Sequence, residues 1–138
     1  MGLDIILVKD VTVPYWEQEH TLCLGEVDGE GRESLFSIEF GIKSILEYSA
    51  SETGTRSYNE YLQESISSLR RVFPMIVRLW DYYEDAVYPK EDICPLRDEI
   101  LSLLTVIKYE RSKRFLEQLL DATAQARDHD AGLIFIAD

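Results

Sequence analysis

Two short segments at opposite ends of this 138-residue chain constrain its fold more than anything between them. Leu3-Asp4-Ile5-Ile6-Leu7-Val8 is a near-continuous apolar run, and Leu133-Ile134-Phe135-Ile136 is its β-branched counterpart. Runs of this length and composition suit strands covered on both faces. Two such strands bury their apolar surface most economically when paired side by side in the middle of one sheet. A long helical stretch separates them, so the chain predicts an α+β fold and not an alternating βαβ one.

Further strands are expected near the first. Val11 to Trp16 is a loose extension that Pro14 confines to an edge. His20 to Leu24 reads as a second strand, Asp28-Gly29-Glu30-Gly31 as turn chemistry, and Leu35 to Phe40 as a third strand. In that strand Phe36, Ile38 and Phe40 would share one face. The expected sheet is therefore small, built from the N-terminal strand, this hairpin and the C-terminal strand, and packed against three to four helices.

The helical middle opens with a short helix over 42–49. Ser57 and Glu60 then stand at the spacing of a capping box. Leu62, Ile66, Leu69, Phe73, Ile76, Trp80, Tyr83 and Val87 follow at alternating steps of four and three, a stripe that must face other protein. Unbroken, such a helix would run roughly 45 Å. Pro74 lacks the donor an interior position needs, so the spacing predicts a long helix that kinks or splits there. The same stripe could serve as a homodimeric coiled-coil seam. After Tyr88-Pro89, Asp92 or Cys94 caps a helix with Pro95 in its first turn and Leu96, Ile100, Leu103, Leu104 and Ile107 inward. The apolar series pauses over 110–114, where either a bend or a new helix capped by Ser112 fits. It resumes through Phe115, Leu116, Leu119 and Leu120, with close-packing alanines at 122, 124 and 126, until Asp128-His129-Asp130 and Gly132 stop it.

A hydrophobic content of 46% is enough to build a core, and 1–138 reads as one globular domain. Cys23 and Cys94 form no framework and fit reduced thiols, Cys23 buried in its strand. No basic stretch precedes a cleavage-like site and no apolar run approaches membrane-span length, so a cytoplasmic protein is expected. Twenty-six acids against fourteen bases leave −12, which disfavours nucleic acid and anionic membranes as partners. The excess is concentrated. Residues 17–33 hold six acids against Arg32, and residues 81–92 hold five against Lys90, whereas residues 34–80 sum to zero. Such windows are either solvated faces kept for solubility or a surface that steers a basic partner.

Catalytic and cofactor signatures are scarce, and neither a cofactor nor a metal is expected. His20 and His129 lack a G-x-S-x-G-like neighbourhood. Glu17-x-Glu19-His20 and Asp128-His129-Asp130 offer metal-competent donors without zinc or calcium spacing. Gly29-Glu30-Gly31 lacks the lysine of a phosphate loop, and its carboxylate would repel phosphate. Arg70, Arg71 and Arg78, and separately Arg111, Lys113 and Arg114, fit local pairing with helix acids such as Glu64 and Glu110.

One segment combines acids with aromatics. From Trp80 to Pro89, helical spacing turns Trp80, Tyr83 and Val87 inward and leaves Asp81, Tyr82, Glu84, Asp85 and Tyr88 outward. Exposed tyrosines beside carboxylates make good anchors, because the ring gives area at low entropy cost while the acids pair with Lys or Arg. Tyr88-Pro89-Lys90-Glu91-Asp92, just after this acidic stretch, resembles the tyrosine–proline segment of the small immunity proteins that neutralise nuclease colicins. The resemblance covers about ten residues. Those proteins are smaller and all-helical, so it carries residue chemistry and no fold. It implies acids and tyrosines that hold a basic nuclease.

The expectation is thus a non-enzymatic, protein-binding domain of bacterial toxin-immunity or inhibitor type, monomeric or homodimeric. Its basic partner would be held by Asp81, Tyr82, Glu84, Asp85 and Tyr88, with Glu26, Asp28 and Glu30 as a second contact. The alternative is a small-ligand-binding domain or enzyme with a site between sheet and helices, using His20, Glu17 or Asp130.

Overall fold

The computed structural model describes residues 2–51, 56–81 and 84–137. Its centre is the expected pair of terminal strands. β1 (Leu3–Val8) and β4 (Gly132–Ala137) run antiparallel through six matched residues, from Leu3 opposite Ala137 to Val8 opposite Gly132. β2 (Leu22–Glu26) flanks β1 and β3 (Ala86–Tyr88) flanks β4, giving a four-stranded antiparallel sheet in the order β2-β1-β4-β3. The β1–β2 register slips between Ile5 and Ile6, where Gly25 takes a φ of +116° that glycine tolerates best.

Alternation along the strands sorts side chains between two environments. Leu3, Ile5, Leu7, Ala86, Tyr88, Leu133 and Phe135 enter the main core beneath the helices. Ile6, Val8 and Ile134 face the other way, under Val11 and Tyr15 of the connection between β1 and β2. That connection is a strap of turns with a single 3-10 turn at Tyr15–Glu17, not an extension of β1.

The predicted hairpin is not formed. Asp28 caps a helix, its Oδ1 accepting from Gly31 N at 3.1 Å. This is α1 (Gly29–Glu33), which runs on as a wider π-helical segment over Ser34–Glu39. The alternation of Phe36, Ile38 and Phe40 misled because the ladder needed a partner strand, and a helical neighbour was available instead. α1 lies so close to α5 (Glu110–Asp128) that a Cβ on Gly31 would stand 2.5 Å from the Arg111 carbonyl oxygen. Ser34 and Ser112 are buried against each other at 2.8 Å, so Ser112 bridges two helices and does not cap α5.

The helical middle also divides sooner than its stripe suggests. α2 (Ile45–Ser51) is short, and α3 (Tyr58–Val72) starts at the predicted cap, with Ser57 Oγ accepting from Glu60 N at 3.2 Å. α3 ends at Val72, just before Pro74, so the stripe splits there and, among the described residues, there is no long Pro-kinked helix and no continuous seam for a coiled coil. Beyond it, Ile76–Leu79 forms a single buried 3-10 turn. α4 (Lys90–Leu104) begins at Pro89, which places Pro95 one turn deeper than predicted. Leu96, Ile100, Leu103 and Ile107 are buried as expected, while Leu104 is only partly covered. Among the described residues no helix is long and apolar enough to cross a membrane.

Candidate functional site

The buried 3-10 turn positions the acidic aromatic segment. A single turn of helix inside a core leaves amides at one end and carbonyls at the other without intrahelical partners. Glu99 of α4 accepts from Met75 N and Ile76 N at about 3.0 Å. Arg32 of α1 donates from Nε to the Leu79 carbonyl and from a terminal nitrogen to the Trp80 carbonyl. The charges match the polarity of the turn, anion at the amide end and cation at the carbonyl end. Burial pushes the Glu99 carboxyl above its ordinary value, against the downward pull of the Ile76 and Met75 amides and of Arg78.

Arg32 is 1% exposed. The one base of the first acidic window therefore spends its charge inside the protein, and the surface of that window is more acidic than its formal count. A lone arginine among acids reads as a surface charge in sequence, and nothing local marks it otherwise. Its spacing of four from Phe36, whose ring lies 5.7 Å away, was the only available hint.

Beside this anchored turn an open groove of about 450 Å³ is lined by residues of α3, of the turn itself and of β3. Asp81, Glu84 and Asp85 all line it. Leu62 and Ile66 of α3 also line it, and Trp80 and Val87 contribute further apolar surface. Trp80 is held edge-on against Phe36 at 5.6 Å between ring centroids. Asp85 is exposed, and its Oδ1 accepts from Ala137 N at 2.8 Å, which ties this acidic residue to the end of β4. Arg70 and Arg78 also reach the groove. Arg78 is engaged within the protein, donating to the Val87 carbonyl at 2.9 Å and pairing with Asp92 at 3.0 Å.

The remaining predicted contacts divide. Tyr88 does not face a partner: it is 0% exposed, and its hydroxyl donates to the Met75 carbonyl at 2.7 Å. The helical reading turned it outward, but Ala86–Tyr88 is a strand, and period-two alternation sends Tyr88 into the core and leaves Val87 38% exposed. In the segment that resembled the colicin-immunity motif, the tyrosine is therefore in the core. Tyr82 lies outside the described residues. Asp28 is occupied as a helix cap, while Glu26 on β2 and Glu30 on α1 are exposed.

Cys23 is exposed, not buried, because β2 is an edge strand with little above it. Cys94 is exposed too. Glu17, His20 and Asp130 are all on the surface. Among the described residues no group of three His, Cys, Asp or Glu side chains is placed to hold a metal ion.

A second groove, of about 530 Å³, runs along the opposite flank of α3. Its lining includes Phe40 and Phe73, whose rings stack at 5.7 Å, with Arg56 and Tyr61 at the rim. The chain matches no known family model, no curated protein and no solved structure.

Proposed function

We propose that this protein is a non-enzymatic binding domain that captures a basic protein partner in the groove between α3 and the segment leading to β3. A toxin-immunity or inhibitor role is the kind of task that such a domain would serve in a bacterial cytoplasm. What supports the reading is that Asp81, Glu84 and Asp85 line one groove together with apolar Leu62, Ile66, Trp80 and Val87. Carboxylates in such a setting attract Lys or Arg over long range, and desolvated apolar contacts then slow dissociation.

The test is affinity capture from source cells at low salt, run in parallel with a D81N/E84Q/D85N variant. A basic protein retained by the native domain and lost with the variant supports the reading. Equal retention by both overturns it. Because steering is electrostatic, the association rate of a captured partner should fall steeply as salt rises.

A further inference from the structure

Val87 belongs to the groove and also to the outer face of the sheet, where it stands opposite Ile134. That face continues the site. Glu26 of β2 is paired with Asp4 of β1, and Asp4 with Ile136 of β4. Asp85 directly precedes the Ala86–Phe135 pair and bonds to Ala137 N. One carboxylate from each acidic window thus stands at either end of a single cross-strand row, with Asp4 between them. Three strand spacings make the row about 14 Å long.

The charge on this row is uncompensated within the sheet. The four strands contain no Lys or Arg, and Asp4 and Glu26 are their only charged residues. The row is also poorly covered. The strap buries Ile6 and Val8, but Val87 and Cys23 are exposed, and Asp4 and Ile136 are half-buried. A sheet face that is apolar in the middle, acidic at its margin and only partly roofed is complementary to a basic surface with an apolar centre.

We propose that the basic partner does not stop at the groove but lies across this end of the outer sheet face. Its apolar centre would rest on Val87 and Ile136, with cations reaching Asp85 at one side and Asp4 and Glu26 at the other. This rests on the binding reading above and adds the second acidic window to it. An extended chain presents residues i and i+4 on one face about 13–14 Å apart, which matches the row.

The two cysteines make the test specific to a face, since Cys23 is paired with Ile6 on the outer side and Cys94 belongs to α4 in the helical layer. The probe is a fluorescein-labelled peptide with arginine, leucine and arginine at alternate positions, titrated at low salt by fluorescence anisotropy. Single-cysteine variants C94S and C23S are each labelled with a bulky maleimide, and folding is checked by circular dichroism. Saturable binding that weakens about tenfold with an adduct at Cys23 and with D4N/E26Q, but not with an adduct at Cys94, is the expected result. Binding that responds to D81N/E84Q/D85N but to neither the Cys23 adduct nor D4N/E26Q overturns this inference and leaves the groove reading intact. No saturable binding at low salt overturns both.

Discussion

Glu99 and Arg32 grip opposite ends of the same buried turn, the carboxylate taking the amides of Met75 and Ile76 and the guanidinium giving to the carbonyls of Leu79 and Trp80. Val77, Arg78 and Trp80 of this stretch line the acidic groove, so buried Arg32 and half-buried Glu99 shape the site without lining it. Replacing Glu99 by Ala leaves two amides short of an acceptor and should cost about 1–3 kcal/mol. Glu99→Gln keeps an acceptor and should cost less, as urea denaturation at neutral pH would show.

The same pair of proteins should differ in pH dependence. Burial holds the Glu99 carboxyl above its usual value, so the folded state binds that proton more tightly than the unfolded chain. The contribution of this group to stability is then fully present below its unfolded value and is lost as pH rises through its folded one. The stability of the native protein relative to Glu99→Gln should therefore decline between about pH 4 and pH 7. A difference that grows with pH over this interval would contradict the assignment.

Arg32 supplies a sharper loss. Arg32→Met keeps much of the side-chain volume but removes the donors to Leu79 and Trp80, and is expected to destabilise by about 2–4 kcal/mol. With Trp16 replaced by Phe, so that emission reports only Trp80, the same change should shift fluorescence to the red as the indole loosens from Phe36. Unchanged emission and stability would mean that the guanidinium does not hold the turn.

Two glycines two residues apart separate packing from propensity. Gly31→Ala forces a Cβ to within 2.7 Å of Phe115 Cβ and 2.5 Å of the Arg111 carbonyl oxygen, neither of which can swing away cheaply. A loss of about 2–3 kcal/mol is expected, despite the better helix propensity of alanine. At Gly29 a Cβ meets nothing within 4 Å, so Gly29→Ala should be neutral or stabilising by up to about 1 kcal/mol. Calorimetric melting should fall for Gly31→Ala and should hold or rise for Gly29→Ala.

Tyr88 separates stability from recognition. Tyr88→Phe removes the hydroxyl that satisfies the Met75 carbonyl and should cost about 1 kcal/mol. Because the ring is in the core, binding of a basic probe should be unchanged within about twofold. Loss of binding with normal stability would return Tyr88 to the interface.

Much of the frame is legible without coordinates, because it rests on local periodicity that the tertiary structure has no reason to override. The apolar runs at 3–8 and 133–136 demand cover on both faces and become the central pair, in register over their full length. The inward faces of α4 and α5 follow from three-and-four spacing, and the Ser57 cap from its distance to Glu60. Asp81, Glu84 and Asp85 stand out in the sequence as acids beside aromatics, and all three line the groove.

What the sequence determined by itself is thus the set of elements whose signal is periodic and whose burial is unavoidable. Only the tertiary structure decided the segments whose partners are distant. Asp28 to Phe40 became a helix because Gly31 lets α1 press against the Arg111 backbone, a contact 80 residues away that no local window contains. Tyr88 turned inward because β4 offered a strand to pair with, which replaced a period of 3.6 by one of two. Glu26 and Asp85, far apart in the chain, stand at the two ends of one row because antiparallel pairing sets Glu26 opposite Asp4 and Asp85 bonds at the end of β4. Charge can be counted along a chain, but whether charges form one surface depends on register, and register is set by which apolar faces the core accepts.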